Sequence, residues 1–484
     1  MAVSAARKGT VATYPLTDWG NSLRLLQNLP QWRYAPHLKS WLQWDGMRWV
    51  RDQDGLLLHE ACALGRWIAA EAAKADEGKR PKIYQWAVKS EGSDRISAAI
   101  RLATSHPDFV VKEGALDADP FLLNTLSGTV HLRLLRGDPD AVIDPWAPDR
   151  EAKLDCAHVP HLLSHMESDG LTHLAPFRVD MEEPPLWMEF LDNATNGNTL
   201  LQTYLQRAVG YSLSGDTSEK CVFVLYGPSN TGKSTFLETL RTILGDYASR
   251  MSTETLLSGR NGQAGAAAMY DLARLSGVRF VTASEPSERS TLAEGIIKDF
   301  TGNETITARH PYGRPFNFRP QFKLWISTNT KPAIQDASGA IWRRIRMIPF
   351  LHVFDGKRRG STVERELLAE APGILGWAIK GFEEWSRYGL GEPAIVGEMT
   401  EEYRMEMDPI AQFFDDRVEQ NPHASIGASN LYRAYCQWAK EEGESVCTGT
   451  RFGIRVRSMG IQRIRKNSGK YYQGVTVRDE QVDG

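Results

Sequence analysis

The stretch CVFVLYGPSNTGKSTFLETL, residues 221–240, decides the fold class of this 484-residue chain. A short apolar strand runs into Gly227, Pro228, Ser229, Asn230, Thr231, Gly232, Lys233, Ser234 and Thr235, and an amphipathic helix follows. Glycines let backbone N–H groups converge on a β-phosphate, Lys233 can reach the β- and γ-oxygens, and the Ser234 hydroxyl can ligate Mg²⁺. The helix beginning near Lys233 adds the positive end of its dipole. A Gly-rich turn feeding a packed helix would have the same composition, but the strand before and the helix after are the context a phosphate-binding loop requires. The nine residues are expected to hold a nucleoside triphosphate with Mg²⁺. What hydrolysis would drive must come from the rest of the chain.

Working outward, apolar strands alternate with helices from 221 to about 350, the pattern of a doubly wound parallel sheet. Hydrolysis also needs an acid to hold Mg²⁺ and orient water, and a sensor of the γ-phosphate. VRFVTASEP (278–286) ends an apolar strand at Ala283 and places Glu285 beyond its C-terminal edge, where ligands of open parallel sheets bind. An exposed glutamate opening a loop is the plainer reading. FKLWISTN (322–329) ends with Asn329, whose amide can bond both a water and a phosphate oxygen, although strands often end in Asn before a turn. In GAIWRRIRMIPF (339–350), Arg343 or Arg344 suits a finger inserted into a neighbouring subunit's site, against the reading of a solvated basic helix end. ITARHPYGRPFNFRP (306–320) reads as a hairpin whose tip carries Arg309, His310, Tyr312 and Arg314. Charge and aromatic rings there suit a grip on one nucleic-acid strand, or an ordinary surface hairpin.

Length allows two to four domains with separate cores. Residues 1–184 form an N-terminal α/β domain in which WLQWDGMRWVRD (41–52) and FLLNTLSGTVHLRLLRG (121–137) read as hairpins and 156–184 as a loop-rich insertion. A helical collar spans 185–215, the ATPase core 216–355, a helical lid 356–405, and a terminal domain 406–484 whose order is helix, helix, helix, hairpin, that of a winged helix. The net charge of −3 provides no general attraction to nucleic acid, yet 451–478 carries eight Lys and Arg residues and no acid. Arg451, Arg455 and Arg457 fall on the expected recognition helix and Lys466 on the hairpin, where DNA or a protein partner would dock. Five cysteines, Cys62, Cys156, Cys221, Cys436 and Cys447, show no paired spacing, which argues against a disulfide framework. With no leader-like or membrane-spanning apolar run, a soluble cytoplasmic protein is expected.

The motif order resembles that of superfamily 3 helicases and, more narrowly, of the phage and plasmid primase-helicases related to the poxvirus primase-helicase. GPSNTGKST, RFVTASE, IIKDFTGNETITARHPYG, FKLWISTNTKP and IWRRIRMIPF carry the resemblance, and TDWGNSLRLL, LLNTLSGTVHL and PGILGWAIKGFEEW extend it to about 460 residues. The resemblance implies an AAA+ core forming a hexameric ring that hydrolyses ATP between subunits and moves 3′ to 5′ on single-stranded DNA. It gives Lys233 and Ser234 the phosphate and Mg²⁺ positions, Glu285 the catalytic acid, Asn329 the sensor and the Arg343–Arg344 pair the finger. Ser284 departs from the pattern, since the family acid is often preceded by a second carboxylate.

Asp117, Asp119 and His131 superficially resemble a primase metal set, but they fall within the helicase-side domain of the resemblance, and no primase activity is expected of this chain. Cys156, His158, His161, His165 and His173 match no standard zinc spacing, and a helix with His at i, i+3 and i+7 is the ordinary reading. The chain thus reads as a replicative helicase working on single-stranded and forked DNA. A second reading is an ATP-switched initiator or scaffold that recruits a primase or host replication proteins. A third, a protein remodeller, would not need the basic terminal domain.

Overall fold

Five strands, Val222–Tyr226, Ala248–Met251, Phe280–Ala283, Lys323–Thr328 and Ile345–Pro349, form one all-parallel sheet. Numbered along the chain, the strands lie in the order 5-1-4-3-2, so Val222–Tyr226 sits between the last two to be made. Parallel strands covered on both faces need no polar alternation, which is why the inner strands read as largely hydrophobic runs, whereas the edge strand Ala248–Met251 is partly exposed and carries Ser249 and Arg250. The computed structural model describes residues 14–112, 114–132, 162–257, 266–284, 291–302, 304–309, 315–334, 339–355, 360–444 and 446–478. It divides into two units, 1–131 with 146–175, and 132–145 with 176–484.

In the second unit, Trp325 centres one face of the sheet. Its ring stacks on Phe223 at 4.3 Å and meets Phe280 and Phe236, and its indole N–H donates to Ser212 Oγ at 3.1 Å. The opposite face packs Val224, Ile326 and Met347 with Ile297, Phe300 and Tyr403. The helix expected as a collar, Thr199–Leu213, lies along Ala371–Tyr388 of the same chain. Glycine permits this contact, because a Cβ on Gly381 would stand 2.1 Å from the Gln206 carbonyl oxygen, and one on Gly210 2.0 Å from the Phe382 nitrogen. Two buried cations close the C-terminal end of the first helix. Arg279 donates to Leu213 O (2.8 Å), while Lys323 donates to Ser214 O and Asp216 O. Both meet carbonyls that a helix end leaves without partners.

The terminal segment begins with the helix Pro409–Arg417, capped by Asp408, whose carboxylate accepts from Ala411 N at 3.1 Å. It continues with strand Val418–Gly427, helices Ala428–Glu441 and Gly449–Ser458, and strands Arg463–Lys466 and Gly469–Val477. The expected order omitted the first strand. Val418–Gly427 carries polar residues and Pro422, so it lacks a strand pattern of its own and is recruited by antiparallel pairing with Gly469–Val477. The latter becomes the middle strand of a three-stranded sheet.

The first unit pairs helices with two small antiparallel sheets. One sheet holds Trp32–Ala35, Ser40–Trp44 and Trp49–Arg51; the other holds Leu122–Thr125, Gly128–His131 and Leu162–Leu163. Both hairpins read from the sequence are present. Asp45 Oδ1 accepts from Met47 N and Arg48 N to make the first turn. The helix expected to carry His158, His161 and His165 is not formed at its C-terminal end, because Leu162–Leu163 pairs as a strand with Thr129 and Val130. Cys156, His158 and His161 lie outside the described residues.

Candidate functional site

The phosphate loop begins where the strand Val222–Tyr226 ends. Gly227 has φ +156, and a Cβ there would stand 1.8 Å from the Phe350 carbonyl oxygen; Asn230 and Gly232 are also left-handed, with φ +63 and +84. Three positive-φ residues within six turn the chain back on itself and direct its N–H groups inward. Gly232 then serves as N-cap of the helix Lys233–Leu244. Lys233 is buried, and its ammonium donates to Gly227 O (2.7 Å), Pro228 O (2.6 Å) and Thr231 Oγ1 (3.1 Å), all within its own loop. Ser229, Asn230 and Ser234 face solvent and Thr235 is half-buried. The cradle therefore offers an ammonium, exposed hydroxyls and a helix N-terminus, a donor set that fits a triphosphate and its Mg²⁺.

Asn329 follows Lys323–Thr328, the central strand of the sheet and the neighbour of Val222–Tyr226, and its amide nitrogen donates to Ser229 Oγ at 3.3 Å. Sensor candidate and phosphate loop thus meet at the C-terminal ends of neighbouring parallel strands. Glu285 lies outside the described residues, but Phe280–Ala283, the strand leading to it, is next to Lys323–Thr328. Ser284, standing where a second carboxylate would be expected, accepts from Arg250 Nη2 at 2.7 Å through its hydroxyl, and its carbonyl accepts from Thr253 Oγ1.

The two arginines are at the other end of the sheet. Arg344 O accepts from Val222 N at the start of the strand that leads into the loop, about four residues or roughly 13 Å from the loop at ~3.3 Å per residue. Arg344 is half-buried and donates to Thr301 Oγ1 at 2.7 Å, whereas Arg343 is exposed, with no side-chain partner among the described residues. The hairpin Ile306–Arg309 and Pro315–Phe318 is formed, with Arg309 exposed at its far end; His310, Tyr312 and Arg314 lie outside the described residues.

Several expected residues are occupied differently. Arg455 Nε donates to Asp408 Oδ2 at 2.5 Å and Arg457 Nε to Gly453 O at 3.0 Å, while Lys466 Nζ donates to Ser425 Oγ at 2.7 Å; Arg451 is half-buried. Asp117 accepts from Thr172 N at 2.9 Å and lies 3.4 Å from His173 Nδ1. Burial opposes ionisation of Asp117, but His173 and Thr172 outweigh it and hold the carboxyl below its usual range. His165 Nε2 is 2.8 Å from Thr125 O, and no group of three metal-ligating side chains occurs among the described residues.

Sequence reading missed Lys331. Two residues beyond Asn329, its ammonium lies over the Tyr226 ring and pairs with Glu406 (2.7 Å) and Glu402 (3.3 Å) of the helix Ala394–Glu406. A lysine after a strand carries no pattern, and its partners stand 71 and 75 residues away.

Residues 23–196 match the family described as D5 N terminal like, and residues 225–344 match a family of unknown function, DUF5906. "Putative helicase L207/L206" of Acanthamoeba polyphaga mimivirus is 30% identical over 267 residues, 51% of this chain and 28% of that protein. "Putative helicase 022R" of Frog virus 3 is 31% identical over 255 residues, 49% of this chain and 26% of that protein. The chain thus carries a D5 N terminal like segment and is similar to viral putative helicases. These matches agree with the primase-helicase resemblance carried by the five motif blocks of the sequence. The chain spans about a quarter of the length of these curated relatives. Among solved structures, the C-terminal region of NrS-1 aligns with 62% of this chain and 78% of that chain, at 13% identity and a TM-score of 0.36. No described helix is long and apolar enough to cross a membrane.

Proposed function

We propose that this chain is an ATP-dependent replicative DNA helicase that works as a ring, hexameric in the simplest case, moving 3′ to 5′ along single-stranded DNA and opening forks. Support comes from Asn329 meeting the phosphate loop on adjacent strands, in a chain whose viral relatives bear helicase names. Lys233, Ser234 and the loop N–H groups would hold ATP and Mg²⁺, and the metal would supply charge neutralisation at the phosphates. Lys233 already gives its protons to loop carbonyls, so it is aimed inward and exchanges those acceptors for phosphate oxygens. Glu285 would orient the attacking water and Asn329 fix its direction.

Arg343 is the better finger. Its distance from its own loop suits a residue that completes a neighbour's site, and Arg344 is already held by Thr301. Arg309, His310, Tyr312 and Arg314 would grip single-stranded DNA inside the ring. The working divisions are 1–184, a collar at 185–215, the AAA+ core at 216–355, a lid at 356–405 and a winged helix at 406–484. The sheet order of the last segment supports the winged-helix reading. Its basic character also favours a second reading, an ATP-switched initiator that binds origin DNA and recruits a separate primase or host replication proteins.

The test is displacement from forked DNA bearing one 3′ or one 5′ tail, with Lys233→Ala as control. Unwinding of the 3′-tailed fork alone, lost in the variant, is the expected result. DNA-dependent ATPase without displacement would shift the reading to the initiator.

A further inference from the structure

The described cations of 451–478 fall into two groups. On the helix Gly449–Ser458, Arg455 is bound to Asp408 and Ser458, and Arg457 is turned back onto its own helix through Gly453 O. On the hairpin Arg463–Lys466 and Gly469–Val477, the exposed side chains of Arg463, Arg465 and Lys470 have no hydrogen-bond or ionic partner among the described residues. The register pairs Arg463 with Tyr472 and Arg465 with Lys470, so all three cations project from one face.

Like charges directly opposite across a ladder repel and weaken it. An edge strand can be blunted by a charge against aggregation, but one lysine achieves that, and opposed cations add a repulsion such protection does not require. An anion laid over the face removes it. Arg457 and Arg463 both act electrostatically on the Tyr472 hydroxyl, so the charged row continues from the hairpin to the exposed end of the helix.

The hairpin offers little for base stacking. Tyr471 projects from the opposite face, with Lys466 Nζ 4.8 Å from its ring centroid and its hydroxyl bonded to Ser468. A rigid row of charges without a stacking ring suits the regularly spaced phosphates of duplex DNA rather than unstacked bases.

We infer that the hairpin Arg463–Lys470, and not the helix Gly449–Ser458, is the duplex-DNA contact surface of the terminal segment, with Arg463, Arg465 and Lys470 clamping backbone phosphates. The inference rests on the reading of that segment as DNA-binding and specifies its face.

The test measures affinity of the full chain for a blunt duplex and for single-stranded DNA over a series of salt concentrations. The variants are Arg463→Ala/Arg465→Ala/Lys470→Ala, its charge-keeping counterpart Arg463→Lys/Arg465→Lys, and Arg451→Ala/Arg457→Ala on the helix. The hairpin triple should lose roughly tenfold or more in duplex affinity, and its slope of log K against log salt should fall by about 1 per cation removed. Single-strand affinity and the thermal midpoint should hold, and the lysine pair should keep most of the duplex affinity. Loss confined to the helix variant would overturn the hairpin assignment but leave the segment DNA-binding. Duplex binding unchanged in both sets would overturn the DNA-binding reading itself in favour of a docked protein. Loss of single-strand rather than duplex binding would overturn the choice of ligand.

Discussion

Lys233 shows how much chemistry one side chain concentrates. A buried ammonium with three acceptors in its own loop organises the cradle before any phosphate arrives. Lys233→Ala should therefore remove nucleotide binding outright, measured with a fluorescent ATP analogue as a loss of at least about tenfold in affinity, consistent with ~1.5–3 kcal/mol for hydrogen bonds to a charged group. Glu285→Gln should behave differently, retaining nucleotide binding while turnover falls by at least ~100-fold, the lower range for removing a general acid–base group. Turnover near the parent value would take Glu285 out of the reaction. The strand ends that precede the phosphate loop, Ser284 and Asn329 were legible because hydrophobic patterning locates them. Lys331 and Arg250 were not, because their roles depend on partners from other elements, Glu402 and Glu406 for one and Ser284 for the other.

At the scale of elements, Lys331 ties the end of the sensor strand to the helix Ala394–Glu406, which leads directly to the Asp408 cap. Burial pulls the Lys331 ammonium down, but the two carboxylates raise it further, leaving it above the usual lysine range. With the folded value raised, this contribution to stability is complete below the ordinary lysine pKa and fades as pH climbs through the folded value. Both carboxylates are exposed, so the link is worth about 1 kcal/mol or less to folding. Lys331→Met should accordingly shift the urea midpoint little while DNA-stimulated ATPase falls several-fold; equal loss of both would make the link merely structural. The helix pair Thr199–Leu213 and Ala371–Tyr388 depends instead on contact between backbones. Gly381→Ala should cost roughly 2–3 kcal/mol in urea unfolding, since the added carbon overlaps the Gln206 carbonyl oxygen. Helix spacing made both helices readable, but their mutual packing was not, for glycine in a helical pattern does not name its neighbour. Likewise Val418–Gly427 became a strand only through pairing with a segment 50 residues later.

At the scale of the whole molecule, the proposed ring makes Arg343 a test of assembly. Mixing Arg343→Ala with parent protein should depress ATPase more steeply than dilution, because each variant subunit spoils a neighbour's site. Arg344→Ala, which loses the bond to Thr301, should act mainly on stability, with activity in mixtures falling in proportion to its share. The reverse pattern would exchange the two roles. The 5-1-4-3-2 strand order also bears on synthesis. Val222–Tyr226, flanked in the finished sheet by Lys323–Thr328 and Ile345–Pro349, leaves the ribosome well before either neighbour exists. Until residue 328 is made, that strand is an apolar ribbon with neither neighbour in existence, and until residue 349 one edge still lacks its partner, the kind of segment that nascent-chain chaperones cover. Interrupted translation within the ATPase core should therefore yield aggregation-prone fragments, and rare codons placed between 226 and 349 should lower soluble yield more than the same codons placed after 349.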